Sequence, residues 1–349
     1  MVSEPSPGIF RRAALRVLTH PWVLDRVAAR SGGRATIFML HRFTEPGGSP
    51  AAFATDTLRK HLEWLRKRHY RLIGLGTLVG ELSEGRPILP RTVVVTVDDG
   101  YADFAALAVP ILADFDCPAT VFVVTAFLDG TCWLWWDRIE FAVLHSRRSS
   151  CQVEVGGIAR RFDWNSQPAR LASASSIMEV VKYLPAADRD IAIQTLLERL
   201  EVELPSVPTA EYAAMTWDQL RGAVGPLVSA GPHTVTHPIL AMEDAETSRR
   251  EMVDSWQRLR QEVPSALPVF CYPNGDDRAF GSREIDVVGD IGLLASVSTT
   301  PNYVAAQAYT SGSGALRQPL PRFPLEGPTH RFVQVASGVE RLKSLFRAM

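Results

Sequence analysis

Cysteine is scarce in this chain: Cys117, Cys132, Cys151 and Cys271 are the four copies in 349 residues, and no two of them are closely paired. That spacing excludes a zinc knuckle and argues against a disulfide framework. Excess charge is also missing. Lys and Arg number 37 against 38 Asp and Glu, a formal net charge of -1, which leaves no general electrostatic case for a nucleic-acid partner. No apolar window approaches the length of a membrane span. Met1 to Pro7 lack a basic stretch followed by an apolar core, so no signal peptide is expected and a cytoplasmic setting is. Residues 8–30 qualify that expectation, because Ile9, Phe10, Leu15, Leu18, Trp22 and Leu24 alternate with Arg11, Arg12, Arg16 and Arg26. Such a basic amphipathic segment docks on the protein's own body in the favoured reading and on an anionic membrane surface in the other.

What the chain does have is a β-branched run, Thr92-Val93-Val94-Val95-Thr96-Val97, that stops at Asp98-Asp99-Gly100. A strand ending this way delivers paired acids to the rim of a sheet or barrel. Adjacent carboxylates repel, and a cation keeps both ionised. A second motif, Gly231-Pro232-His233-Thr234-Val235-Thr236-His237-Pro238, carries two histidines four residues apart, a separation that predicts both imidazoles on one side of a helical turn. Imidazole nitrogen and carboxylate oxygen together are a common donor set for zinc and similar divalent metals. Pro268-Val269-Phe270-Cys271-Tyr272-Pro273-Asn274-Gly275 reads as a short buried strand that breaks at Pro and Gly.

Taken in this order, Thr-Val-Asp-Asp-Gly, His-Thr-Val-Thr-His-Pro and Phe-Cys-Tyr-Pro-Asn-Gly resemble the leading motifs of the polysaccharide deacetylases, the NodB-homology or carbohydrate esterase family 4 group. Cys117 to Val123 looks like that family's second strand, and Leu320-Pro321-Arg322-Phe323 like a late signature, so the resemblance covers roughly residues 35–127 and 216–325. It implies a metal triad of Asp99, His233 and His237, with a divalent ion, zinc first and Co2+, Ni2+ or Fe2+ as alternatives. Asp98 then matches the general base acting on water, and the backbone N–H of Asn274 an oxyanion donor. His41, at the end of the apolar run Ala35–Leu40, resembles a Tyr-His-Arg start in a branch of the family and is the candidate general acid. The implied partner is an N-acetylated glycan, and the implied reaction is release of acetate.

Two positions depart from the pattern. The family's third motif often opens with an arginine that orients the catalytic aspartate, and here that position is Cys271. Arg322 is the candidate replacement, since a guanidinium can clamp a carboxylate through two parallel hydrogen bonds. No copy of the fourth motif, with its Asp and Trp, is evident. These departures keep open a catalytically impaired carbohydrate-binding or assembly protein, and the same site would also serve an O-deacetylase. Singly, each motif also has an ordinary reading: Asp98-Asp99-Gly100 as a turn with a helix cap, the histidines as surface or capping residues, and Cys271 as a small buried hydrophobe.

The expected fold is α/β: a distorted, incomplete (β/α) barrel of the NodB-homology type with a largely helical insertion. Leu58, Leu62 and Leu65 mark one helix, residues 101–115 another, and Met252, Trp256, Leu259 and Val263 a third. The expected division is an N-terminal basic segment over 1–34, the barrel over 35–127 and 216–325, an insertion over 128–215 and a C-terminal helix over 326–349. The insertion opens with Trp133, Trp135 and Trp136, continues through a polar β-like stretch from Gln152 to Trp164 and a helix over Ile191–Leu200, and ends at the break Leu204-Pro205-Ser206-Val207-Pro208. Tryptophans stack on sugar rings, which makes it a candidate lid or substrate wall, although packing of an added helical layer is the favoured reading.

Overall fold

The computed structural model describes residues 33–155, 157–309 and 315–341. Residues 8–30, where the basic amphipathic segment was expected, and residues 342–349 of the expected C-terminal helix lie outside the described residues.

The opening strand β1 (Arg34–Leu40) pairs in parallel with the β-branched run, with Ala35 opposite Thr92 and Leu40 opposite Val97. Between them the chain forms a short pair, β2 (Phe43–Thr44) and β3 (Phe53–Ala54), then α1 (Thr55–Lys67), β4 (Arg71–Leu72) and α2 (Leu75–Ser83). The run itself is β5 (Thr92–Val97), buried at all six positions as a parallel strand covered on both faces must be. After it, a π-helical segment, Phe104–Ala108, passes into α3 (Val109–Asp114), so the helix expected over 101–115 is present but locally underwound. β6 (Ala119–Val123) and the single-turn α4 (Thr125–Leu128) follow.

Alternation along β5 sorts the core. Val93, Val95 and Val97 pack outward with Leu58, Leu62, Met252 and Leu259 from the covering helices. Val94 points the other way, into an interior shared with Ile37, Phe122, Cys271 and Val297. Asp98, in phase with Val94 and Thr96, is therefore delivered to the interior.

The intervening stretch holds α5 (Trp135–His145), an antiparallel hairpin of β7 (Ser150–Val155) and β8 (Ile158–Asp163), α6 (Gln167–Val181) and α7 (Ala186–Leu200). These elements share an apolar cluster of their own around Ile139, Trp164, Ile177 and Leu196. After α8 (Trp217–Ala223) comes β9 (Val228–Pro232), parallel to β6. Then follow α9 (Ala245–Glu262), β10 (Val269–Cys271), α10 (Ser282–Asp290), β11 (Ala295–Val297), β12 (Val304–Ala305), β13 (Phe323–Pro324) and α11 (Thr329–Ala336).

Among the described residues the strands do not form a closed sheet. The main sheet runs β12-β1-β5-β6-β9, with β13 on β1 and β4 on β5, and β10 and β11 make a separate parallel pair. Across the first gap Leu267 N donates to Ala230 O at 2.7 Å, and across the second an isolated bridge joins Val297 to Leu320. Gly231 explains the first approach, because a Cβ there would lie 2.7–2.8 Å from the Phe122 ring and Val269 O.

Candidate active site

Asp98 and Asp99 owe their separate directions to a turn. Asp98 N still donates to Leu40 O at 2.8 Å, the last rung with β1, but Asp99 has φ +75° and Gly100 φ +95°. Only glycine serves at 100, since a Cβ would also press on Leu128 Cδ1 at 2.8 Å. Asp98 stays inside and Asp99 swings toward the histidines.

Those histidines are not on a helical turn. They lie in an irregular loop after β9, in which Thr234 has φ +67° and His237 φ +60°. Side chains hold the loop where local propensity would not. Glu251 of α9 accepts from Val235 N, Thr236 N and Thr236 Oγ1 at 2.7–2.9 Å, and Thr234 Oγ1 accepts from His237 N at 3.0 Å.

The outcome is three converging donors. His233 Nε2 and His237 Nε2 stand 3.6 and 3.7 Å from Asp99 Oδ1, and all three residues are buried. Cys271 O, which can only accept, lies 2.7 Å from His233 Nδ1. That bond fixes the hydrogen on Nδ1 and turns the Nε2 lone pair toward the carboxylate. Lone pairs facing one another at the edge length of a small tetrahedron, roughly 3.3 Å for zinc bonds of 2.0–2.1 Å, fit a divalent ion. Protons serve the cluster unevenly. Burial opposes charge on His233, but Cys271 and Asp99 outweigh it and draw its pKa well up, while burial and the His233 charge push His237 down to about 3. A second donor set, Asp98, His233 and Cys271, is pre-empted, because Arg322 already bonds both Asp98 and the Cys271 sulfur.

Arg322 is fully buried and spends every nitrogen. Nη1 donates to Asp98 Oδ1 at 2.7 Å and to Thr96 Oγ1 at 3.0 Å. Nη2 donates to Asp98 Oδ2 at 2.8 Å and to Cys271 Sγ at 3.2 Å, and Nε to Ser298 O at 3.0 Å. Burial resists ionisation of Asp98, but this guanidinium overcomes it and holds the carboxyl well below the usual range. The Cys271 thiol is pushed up by burial, so it is an acceptor here and not a thiolate.

His41 is half exposed, with Nε2 3.9 Å from Asp98 Oδ2. Asn274, at φ +57°, follows β10, and among the described residues its backbone N–H has no acceptor and its Nδ2 no partner. Both residues line one cavity of about 460 Å³ with Asp98, Asp99, His233 and His237. That cavity is also lined by Trp135, Trp136, Asp137 and Glu140 of α5, Met178 of α6 and Lys182 just after it. Sequence reasoning left Asp137, Glu140 and their anchors unassigned. Their signal was the run Trp135-Trp136-Asp137-x-x-Glu140, two acids on one helical face next to aromatics.

Comparison with known proteins places these features. A family model described as polysaccharide deacetylase matches residues 86–143, the segment containing Asp98 and Asp99. The poly-beta-1,6-N-acetyl-D-glucosamine N-deacetylase of Escherichia coli K12 is 33% identical over 169 residues, 45% of this chain and 25% of that protein. The chain thus spans about a quarter of the length of the curated relatives it matches. Among solved structures, the Streptococcus pyogenes deacetylase PplD in complex with acetate aligns with a TM-score of 0.55 at 16% identity, over 87% of this chain and 98% of its own. The de-N-acetylase of Aggregatibacter actinomycetemcomitans aligns at 0.52 and 15%, over 84% and 96%. Residues 86–143 thus match the polysaccharide deacetylase family model, and the fold is that of solved deacetylases.

Proposed function

We propose that this protein removes acetyl groups from N-acetylated sugars of a polysaccharide, oligosaccharide or lipid-linked glycan. The observation that carries the reading is the pairing of an ionised, guanidinium-clamped carboxylate with a buried three-donor cluster on one cavity wall. The names of the relatives supply the substrate class.

A divalent ion held by Asp99, His233 and His237, zinc by donor type with Co2+, Ni2+ or Fe2+ as substitutes, would polarise the acetamide carbonyl and acidify water. Asp98 accepts the proton of the attacking water. Arg322 keeps it ionised and aims it, so the base is ready without rearrangement. As the water oxygen bonds to the acetyl carbon, negative charge grows on the carbonyl oxygen, and the unpaired N–H of Asn274 is the donor for it. Cleavage of the C–N bond leaves acetate and an amine, and His41 is placed to return a proton to that nitrogen.

The test is acetate release from β-1,6-linked N-acetylglucosamine oligomers by the metal-loaded protein. Asp98→Asn is expected to abolish release while retaining metal. Metal and glycan binding without acetate from a broad panel of N-acetylated glycans would instead mark a carbohydrate-binding protein, and release only from O-acetylated glycans an O-deacetylase. His41→Ala is expected to lower turnover by about 100-fold, the ordinary size of general-acid assistance, and near-normal turnover across pH would remove His41 from the reaction.

A further inference from the structure

The α5 side of the cavity is built with more care than packing requires. Asp137, 3% exposed, takes a single hydrogen bond at Oδ2, from Tyr101 Oη at 2.7 Å, and Tyr101 Oη in turn accepts from Trp136 Nε1 at 2.9 Å. One helical turn on, Glu140 accepts from Tyr212 Oη at 3.1 Å. Arg42 acts on both acids only through space and forms an ion pair with neither: its guanidinium lies 4.7 Å over the Tyr101 ring and 5.5 Å over the Tyr212 ring, and no cation reaches Asp137 within 4.0 Å among the described residues. Independently, Trp135, 7% exposed and lining the same cavity, has no acceptor for its indole N–H among the described residues, while the Arg189 guanidinium stacks over its ring at 4.8 Å. Asn274 Nδ2 is a further unpaired donor there.

Buried acceptors with spare capacity beside buried donors with no partner call for a ligand that both donates and accepts. The unpaired N–H groups disfavour a cation. Aromatic surface between polar groups suits a pyranose, whose C–H face and ring hydroxyls alternate in the same way. Burial also drives Asp137 toward its neutral form, in which the carboxyl can donate as well as accept.

We propose that Asp137, oriented by Tyr101, and the indole N–H of Trp135 hold hydroxyl groups of the glycan, which makes α5 the element that selects the sugar presented for deacetylation. This rests on the deacetylase reading and adds a specificity wall to it.

The test measures glycan affinity by calorimetry in the Asp98→Asn background and KM in the otherwise wild-type chain, with β-1,6-linked N-acetylglucosamine oligomers and analogues lacking one ring hydroxyl. Asp137→Asn and Trp135→Phe are each expected to weaken binding and raise KM on the order of 10-fold or more, the size of a buried hydrogen bond lost. Each variant should also discriminate less between the oligomer and one deoxy analogue, with metal affinity in chelator competition unchanged. Trp135→Phe keeps the ring and serves if Asp137→Asn misfolds. Acetate release together with unchanged affinity and unchanged discrimination in both variants would overturn the specificity wall. Weakened binding in a protein that releases no acetate would uphold the wall and overturn the deacetylase reading.

Discussion

Asp98 on the sheet rim and Asp137 on α5 line one cavity and are buried almost equally, at 2% and 3% exposure, yet they are driven to opposite charge states. Burial raises the pKa of both. At the rim two parallel bonds from Arg322 reverse the effect and keep the carboxylate ionised. On α5 the only bonded partner among the described residues is a tyrosine hydroxyl, and burial prevails. The Arg42 guanidinium acts on Asp137 only through space and is stacked over the tyrosine rings. Burial sets the cost of a charge, and the partner decides whether the protein bears it. One wall is thus electrically suited to proton transfer and the other to neutral hydrogen bonding.

The sharpest way to break this contrast is Arg322→Met, which would give Asp98 the surroundings Asp137 has. An unpaired buried carboxylate is expected to cost about 3–5 kcal/mol in urea unfolding, and acetate release should fall at least 100-fold on the order expected for loss of a general base. The pH dependence follows from the sign of the shift. Asp98 has a folded pKa below its unfolded value near 3.8, so the stability it contributes is present above that value and lost as pH falls below it. Arg322→Met should remove that acid limb. A variant that keeps wild-type stability and turnover would show that the clamp is not what ionises the base.

A second buried ionisable group extends the contrast beyond the cavity. His61 on α1 is 1% exposed, stacks on Phe332 at 4.0 Å and 9°, and among the described residues has no partner for either ring nitrogen. Like Asp137 it yields to burial, which with the nearby Lys60 charge lowers its pKa to about 4. Between that value and the unfolded 6.5 the unfolded chain binds the extra proton, so stability should rise with pH across this window, by up to about 3 kcal/mol. Urea unfolding of the wild type and His61→Phe at pH 7.5 and 4.5 checks it. Equal losses in both proteins would assign the acid sensitivity to other groups.

The same contrast separates what could be read in the sequence from what could not. Asp98 and Asp99 were legible because their placement is local: a β-branched run ending at two acids and a glycine carries its geometry in the backbone. The bond from Arg322 spans 224 residues, but Cys271 in the arginine position made a substitute worth seeking. The conformation of the histidine loop was not legible, since it depends on Glu251 reaching back from α9 to hold positive φ at Thr234 and His237. Helix α6 was missed because its serines favour turns. Ser175 and Ser176 instead bond back to Leu171 O and Ala172 O, and Ser166 caps the first turn. Asp137 read as one more charge on a helix, and only the approach of Tyr101 across 36 residues gives it a role.

The smallest effect belongs to the link between the two walls. Tyr101 Oη accepts from the Trp136 N–H and donates a hydrogen bond to Asp137 Oδ2, and the Trp136 ring sits edge-on to His237 at 4.6 Å. Tyr101→Phe keeps the buried ring and removes only the hydroxyl, leaving the Trp136 N–H without its acceptor and Asp137 Oδ2 without its donor. That should cost about 1–3 kcal/mol. The low end is expected, because Asp137 already leans toward its neutral form and the cavity can admit water to it. Among the described residues His237 Nδ1 has no hydrogen-bond partner, so the Trp136 ring, beside that of His233, helps to fix that imidazole. Loosening the ring should therefore lower metal affinity, at most about 10-fold, at the weak end of what loss of an outer contact does. Chelator competition on Tyr101→Phe beside Arg322→Met reads this directly. If metal affinity collapsed in Tyr101→Phe, the neutral wall would be part of the metal site itself, and the division of labour between the two carboxyl groups would fail.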